Sequence, residues 1–161
     1  MAIDPNIWIA EFGKRLTPKD TVVCDAGGAF FMTHQRIRMP NGCRLITDLA
    51  QAAMGFAIPA GIGAALAKQK GHVYVITGDG SYRFQTHNTY TIISERIKNI
   101  TIFVISNRGY KTIRTSQETW CEGREVGLQD DIVVWPWIDD ERPLVEVLHC
   151  PDYEVRRPVV G

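Results

Sequence analysis

Two short polar segments contain the residue types and spacing that suit metal and phosphate chemistry. The first is Gly78-Asp79-Gly80-Ser81, and the second, Asn107-Arg108-Gly109, begins after 26 residues that follow Gly80. Glycines let the backbone approach an anion closely, and amides at the start of a following helix would face that anion. A carboxylate beside a phosphate is repulsive unless a cation lies between them. The first segment therefore indicates a metal-bridged phosphate.

Magnesium is the cation that these donors favour. It takes six oxygen ligands in an octahedron, usually from a few protein groups, substrate phosphates and water. The Asp79 carboxylate, the Asn107 amide oxygen and the Gly109 carbonyl would supply one face of that octahedron. Each segment alone is weak evidence, because a Gly-Asp-Gly turn or an Asn after a strand is more often a loop or capping residue. The two segments together are far more specific.

Short apolar runs place both segments at the ends of predicted strands. The predicted strands are Thr21–Cys24, Arg44–Thr47, His72–Thr77, Ile100–Ser106 and Leu144–Leu148. The predicted helices are Pro5 to about Leu16, Ala29–Ile37, Gly55–Lys70 and Thr86–Ile97. Apolar strands that alternate with helices predict an α/β three-layer sandwich with a mostly parallel sheet and helices on both faces. Such sheets bind ligands outside the carboxyl ends of their strands, so the candidate loops are Asp25–Gly28, Gly78–Ser81 and Asn107–Tyr110.

Composition excludes several function classes. The 161 residues suit one domain spanning 1–161, and 18 basic residues balance 18 acidic ones, so no nucleic acid or anionic membrane is expected as a partner. No apolar run approaches the roughly 20 residues of a membrane span, and the N-terminus does not look like a signal peptide, so we expect a cytoplasmic protein. Four scattered cysteines predict reduced thiols rather than disulfides or a zinc site: Cys24, Cys43, Cys121 and Cys150.

The two polar segments resemble the signature of thiamine-diphosphate enzymes, which is Gly-Asp-Gly, a spacer of similar length, and Asn-Asn. Ser106 takes the first Asn position, and Asn107 takes the second, metal-binding one. A further block, from Ala52 to Ala60 (AAMGFAIPA), resembles acetolactate synthase-like members of that family. The resemblance implies that Met54 wedges under the cofactor and that the Ala52 carbonyl accepts a hydrogen bond from the aminopyrimidine.

The resemblance also implies the cofactors and the site. Thiamine diphosphate and Mg²⁺ are expected, with Asp79, Asn107 and Gly109 as metal ligands. The expected cofactor-binding residues are Gly27, Gly28, Ala52, Met54, Gly78, Asp79, Gly80, Ser81, Asn107, Gly109 and Tyr110. The family places the Glu that activates the cofactor in a separate pyrimidine-binding domain, and no such domain is recognisable here. No catalytic residue is therefore expected in this chain, and Glu11, Glu95 and Glu118 are interpreted as surface residues.

Several positions depart from the family. Thr47-Asp48-Leu49-Ala50 replaces a stretch with flexible glycines, and Ala52 also stands where glycine is usual. Polar side chains that reach the diphosphate in acetolactate synthases become Gly28, Ala29 and Phe30. His87 is interpreted as a surface or interface residue rather than a catalytic base. Residues 127–143 are too few for the usual segment, which predicts a sheet shortened by one helix–strand unit.

The leading hypothesis is a diphosphate- and Mg²⁺-binding subunit or fragment of an enzyme that decarboxylates or joins 2-oxo acids. Its expected partners are a pyrimidine-binding domain or subunit on another chain, in an oligomer, and the 2-oxo acid substrate. The alternative is a degenerate, non-catalytic module with a binding or assembly role. An unrelated Rossmann-like nucleotide binder is less favoured, because no G-x-G-x-x-G turn follows the first strand.

Overall fold

A mainly parallel sheet between two helical layers forms the described part of the chain. The computed structural model describes residues 3–67, 70–128, 132, 134, 137–139 and 142–150. The strands are β1 (Thr21–Cys24), β2 (Arg44–Thr47), β3 (Val73–Gly78), β4 (Ile100–Ser106), β5 (Trp137–Asp139) and β6 (Arg142–His149). The helices are α1 (Pro5–Gly13), α2 (Gly28–Arg36), α3 (Ala57–Ala67), α4 (Asp79–Gln85), α5 (His87–Ser94) and α6 (Lys111–Trp120).

The sheet has the strand order β2-β1-β3-β4-β6-β5. All neighbouring pairs from β2 to β6 are parallel, and only the short edge strand β5 runs antiparallel to β6 among the described residues. Parallel strands need crossover connections, and α2 and α3 make two of them. The predicted α/β fold with a mostly parallel sheet is confirmed.

Alternating strand residues supply two hydrophobic layers, one on each face of the sheet. On one face, Val23, Val75 and Ile102 pack with residues of α3 and α5 in a single buried cluster. On the other face, Ile76 and Phe103 pack with residues of α1 and α2. Because side chains of successive strand residues point to opposite faces, apolar runs such as ITIFVIS fill both layers. The helices therefore cover both faces, as predicted.

Most predicted elements agree with the structure; the differences are shifts of a few residues at element ends and elements that were not predicted. β1, β2 and β4 have the predicted bounds, and Asp4 caps α1 by accepting a hydrogen bond from the Asn6 amide at 2.8 Å. The expected loop Gly78–Ser81 is wrong in its second half, because α4 begins at Asp79. Helix α6 and strand β5 were not predicted. The expected loss of a helix–strand unit concerns 127–143, much of which lies outside the described residues.

Two expectations from composition bear on membranes and thiols. No helix in the described part of the chain is long and apolar enough to cross a membrane. All four cysteines are free thiols in the structure. The described residues also contain no cluster of three His, Cys, Asp or Glu side chains that would suit a metal.

Candidate functional site

A cleft opens at the carboxyl edge of the sheet, where β1, β3 and β4 end. Its walls include every predicted cofactor-binding residue: Gly27, Gly28, Ala52, Met54, Gly78, Asp79, Gly80, Ser81, Asn107, Gly109 and Tyr110. The fold thus brings together four segments that are far apart in the sequence. Their grouping at one edge is what the parallel sheet predicts, while the binding role of each residue stays a prediction.

Asp79 is the buried carboxylate at the centre of this arrangement, with 2% of its surface exposed. Its Oδ1 accepts a hydrogen bond from the Gly80 amide at 2.8 Å. Its Oδ2 accepts from the Asn107 amide at 3.0 Å and from the Ser106 hydroxyl at 3.3 Å. Burial raises the pKa of this carboxyl above its usual value, and these hydrogen bonds offset that effect only in part. A cation beside it would favour the charged form.

The turn after β4 holds the other two predicted metal ligands. The Asn107 side-chain oxygen accepts a hydrogen bond from the Gly109 amide at 3.1 Å, which closes the turn on itself. Arg108 lies between them with φ 63°, a left-handed conformation that is uncommon for a residue with a side chain. Backbone strain of this kind persists only where surrounding contacts impose it. The hydrogen bonds of Asn107 to Asp79 and Gly109 are such contacts.

Gly80 lets the start of α4 and the β4 turn lie against each other. A Cβ at Gly80 would overlap the Tyr110 ring, with Cδ1 2.8 Å away, and would meet the Met54 Cε at 3.2 Å. Met54, which is 39% exposed, therefore reaches the cleft wall next to Tyr110 and Gly80. The glycine is required here for close packing, since its φ does not lie in the left-handed region.

Helices α2 and α6 both begin at the cleft without a side-chain cap. Helix α2 follows Gly27, and α6 follows Tyr110, and neither preceding residue makes a side-chain hydrogen bond to the helix. The first backbone N–H groups of a helix have no partner within it, and they carry the positive end of the helix dipole. A Cβ at Gly27 would lie 3.6 Å from the Thr112 hydroxyl, so the two helix starts face each other. This arrangement suits an anion such as a diphosphate.

Helix α1 differs from α2 and α6, because the Asp4 carboxylate caps its N-terminus by accepting a hydrogen bond from the Asn6 amide. At α2 the cleft wall is formed by Gly28 and Ala29, which have no polar side chain. Backbone amides are therefore the donors that the start of α2 offers to the cleft. Lys111, at the first position of α6, is the one cationic side chain among the described residues that line the cleft.

Asp25 joins three chain segments beneath the cleft, a role that was not predicted. The side chain is 1% exposed. Its Oδ1 accepts hydrogen bonds from the Ala26 amide at 2.9 Å and the Gly55 amide at 3.0 Å, and its Oδ2 accepts from the Thr77 hydroxyl at 3.0 Å. The end of β1, the end of β3 and the loop that carries Met54 are therefore fixed relative to one another.

Asp48 shapes the same loop from its other end. Its carboxylate accepts hydrogen bonds from the amides of Gln51 at 3.0 Å, Ala50 at 3.2 Å and Ala53 at 3.3 Å. These backbone hydrogen bonds, led by the one from Gln51, lower the pKa of the Asp48 carboxyl. An Asp followed by such a turn is a known local pattern, so this contact was detectable in the sequence.

Several other candidates do not line this cleft, although Glu118 lines a neighbouring cavity together with Asn107 and Gly109. His87 is exposed at the start of α5 and does not line the cleft. Glu11, Glu95 and Glu118 are also exposed, which agrees with their interpretation as surface residues. Phe30 packs on the His34 ring, with the ring centroids 4.2 Å apart. Asp79 is therefore the only acidic side chain among the described residues that line the cleft.

An α/β sandwich with a buried Asp and an Asn at adjacent strand ends, beside open helix N-termini, is an arrangement that suits a diphosphate. Comparison with protein families agrees: the model of the thiamine pyrophosphate enzyme C-terminal TPP-binding domain matches residues 25–143. The chain belongs to this family.

The curated relatives include 2-oxo acid decarboxylases. A pyruvate decarboxylase from Neurospora crassa is 32% identical over 97 residues, which cover 60% of this chain and 17% of the relative. Alpha-keto-acid decarboxylases from Mycobacterium tuberculosis and Mycobacterium avium are each 28% identical over 124 residues, which cover 77% of this chain and 21% of the relative. The chain thus spans about a fifth of the length of these relatives.

Proposed function

We propose that this chain is the thiamine-diphosphate- and Mg²⁺-binding part of an enzyme that acts on a 2-oxo acid. The observation that carries the proposal is the convergence of all predicted cofactor-binding residues on one cleft at the carboxyl edge of the sheet. The family match supports thiamine diphosphate as the ligand, and the names of the relatives support a 2-oxo acid as the substrate class.

The described donors fit a magnesium ion. A carboxylate, an amide oxygen and a backbone carbonyl are all hard oxygen ligands, and Mg²⁺ is usually held by few protein groups together with phosphate oxygens. Asp79, Asn107 and Gly109 would hold the ion, and it would offset the cost of the buried Asp79 charge. The backbone N–H groups at the uncapped starts of α2 and α6 would donate hydrogen bonds to the diphosphate.

When bound, thiamine diphosphate supplies the reactive carbon and the electron sink for decarboxylation. The residues of this chain would bind and orient it. Met54, which lines the cleft together with Tyr110, would pack against the bound cofactor. Ala52 would offer its carbonyl to the aminopyrimidine. Neither residue can accept or release a proton.

The activating carboxylate would come from another polypeptide. Asp79, the acidic side chain of the described cleft wall, is assigned to the metal, so it is not available to the pyrimidine ring. We therefore propose that a pyrimidine-binding partner supplies the activating carboxylate in an oligomeric assembly. We also propose a cytoplasmic location. Turnover should require the partner. Turnover by the purified chain alone would contradict this part of the proposal.

Two reactions remain within this proposal. The decarboxylase relatives favour simple decarboxylation. The Ala52–Ala60 block favours an acetolactate synthase-like carboligation. Product analysis with pyruvate and a reconstituted partner separates them, because decarboxylation gives acetaldehyde and carboligation gives acetolactate.

The degenerate, non-catalytic module stays the second candidate. It is favoured by the apolar wall at Gly28 and Ala29 and by a non-glycine residue at Ala52, which has φ 47°. Such a module would keep the fold and an assembly surface without holding the cofactor.

Calorimetry with thiamine diphosphate decides between these candidates. We expect binding that requires Mg²⁺, is lost in Asp79→Ala and is retained in the surface control His87→Ala. Thermal unfolding of both variants would show whether each is folded. Absence of binding by the folded wild-type chain, with and without Mg²⁺, would support the non-catalytic module instead.

A further inference from the structure

The loop between β2 and α3 is held at both ends by carboxylates. At its first end, Asp48 accepts hydrogen bonds from the amides of Ala50, Gln51 and Ala53 at 3.2, 3.0 and 3.3 Å. At its second end, the Gly55 amide donates to the buried Asp25 at 3.0 Å. The loop contains no glycine between these two anchors. Its conformation is therefore imposed by side chains rather than permitted by flexible residues.

Ala52 is the strained residue within this loop. Its φ is 47°, in the left-handed region, where a Cβ crowds the following carbonyl oxygen. Its amide donates to the Asp48 carbonyl at 3.2 Å, so the backbone and the side chain of Asp48 both hold this turn. Strain at a non-glycine residue persists only when surrounding contacts impose it. Without the Asp48 carboxylate, Ala52 would be expected to relax toward negative φ.

That relaxation would move the cleft wall. Ala52 and Met54 both line the cleft, and Met54 approaches the start of α4 at Gly80. A change in the peptide at Ala52 rotates its carbonyl, and it shifts Met54, which is only two residues away. The second anchor at Gly55 would remain, because Asp25 is buried and tied to Ala26 and Thr77.

We propose that Asp48 is a positioning residue for the cofactor cleft: its carboxylate holds the loop amides so that Ala52 keeps a left-handed conformation and Met54 keeps its place. This inference rests on the proposed function for its effect on cofactor affinity. Its effect on the loop does not depend on any ligand. Asp48 itself does not line the cleft.

The first test uses the ligand-free chain. Hydrogen–deuterium exchange by NMR follows the amides of Ala50, Gln51 and Ala53 in the wild type, Asp48→Ala and Asp48→Asn. We expect Asp48→Ala to exchange these amides faster, while amides of β3 and β4 keep their protection. Asp48→Asn should lie between the two, because it keeps one oxygen acceptor. Unchanged exchange in Asp48→Ala would overturn the inference, even if the chain binds no cofactor.

The second test is a double-mutant cycle with glycine at the strained position. Asp48→Ala should weaken thiamine-diphosphate affinity about tenfold. Cofactor binding would then have to restore the left-handed conformation of Ala52, and the steric cost of that conformation corresponds to roughly a tenfold change in affinity. In an Ala52→Gly background the same change should cost clearly less, because glycine adopts that conformation without the steric cost. A purely structural role for Asp48 would give the same loss in both backgrounds, and that result would contradict the proposal.

One control variant and the binding result of the wild type separate the possible failures. Glu95→Ala removes an exposed carboxylate that does not line the cleft, and it should leave both measurements unchanged. If the wild type binds no thiamine diphosphate, the proposed function fails, and the exchange test alone decides the role of Asp48. If the wild type binds and Asp48→Ala binds equally well, the proposed function stands and this inference is wrong.

Discussion

The carboxylate of Asp79 accepts a hydrogen bond from the backbone amide of Asn107 at 3.0 Å, which ties the end of β3 to the end of β4. The two strands are paired in parallel up to Gly78 and Ile105, so the residues that follow each strand lie at the same edge of the sheet. Two predicted metal ligands are thus held together before any ion binds. Ser106 strengthens this link by donating its hydroxyl to the same carboxylate oxygen.

If Asp79 and Asn107 hold one metal ion, their substitutions should not be additive. Asp79→Asn and Asn107→Ala should each weaken Mg²⁺-dependent binding of thiamine diphosphate, and the double variant should lose little more than the worse single variant. Residues that share a partner generally couple in this way, by about 0.5–3 kcal/mol. Calorimetry at fixed cofactor concentration with varied Mg²⁺ measures the coupling. Fully additive losses would show that the two residues do not act on a common ion.

The strands and the site loops could be predicted because their local sequence signals agree with the fold. TVVC and ITIFVIS are β-branched runs, and both match observed strands. The residues of the polar segments after β3 and β4 then had to meet, since parallel strands end at a common edge. Helix α6 was not predicted: apart from Ile113 and Trp120 its residues are polar, and none of them is buried.

The remaining differences depend on contacts between distant residues. Gly78–Ser81 was interpreted as a loop because glycines usually end regular structure, but Gly80 lies inside α4, where Tyr110 leaves no room for a side chain. Asp25 holds groups 30 and 52 residues away, Gly55 and Thr77, and no local pattern indicates such a role.

The packing of Gly80 against Tyr110 predicts a large effect for a single methyl group. Gly80→Ala should destabilise the fold by about 1–3 kcal/mol, because the new Cβ would overlap a packed ring. Gly63→Ala is the matched control: this glycine also lies in a helix, and nothing lies within 4 Å of its Cβ position. That change should stabilise by about 0.5–1 kcal/mol.

Urea unfolding of both glycine variants measures these effects, and a further variant tests their cause. In a Tyr110→Ala background, Gly80→Ala should cost less than in the wild type, since the ring that it would meet is gone. Equal costs in the two backgrounds would mean that Tyr110 is not the obstacle.

The hydrogen bonds of Asp48 predict a defined pH dependence of stability. Backbone donors lower the pKa of this carboxyl below its ordinary value of 3.8, so its charged form stabilises the folded loop. That contribution is present above the ordinary value, and it is lost as the pH falls through the lowered one. The wild type should therefore unfold at a higher temperature than Asp48→Asn at neutral pH, and the difference should shrink below about pH 4.

Thermal unfolding followed by circular dichroism across that range provides the measurement. Glu95→Gln is the comparison, because the Glu95 carboxylate is exposed and makes no side-chain hydrogen bond within the described part of the chain. A difference between wild type and Asp48→Asn that stays constant from neutral to acid pH would contradict the charged-state explanation.

The cysteines should differ sharply in reactivity, although all four are free thiols. Burial raises the pKa of the Cys24 thiol, and it raises the pKa of Cys150 to about 12, whereas Cys121 is exposed after α6. The thiolate is the reactive form, so a maleimide reagent at neutral pH should label Cys121 first and should reach Cys24 and Cys150 only after unfolding. Peptide mass spectrometry over time locates the label. Cys121→Ser should remove the rapid labelling. If Cys150 in the folded chain were labelled as fast as Cys121, the prediction would be wrong, and the end of β6 would be open to solvent.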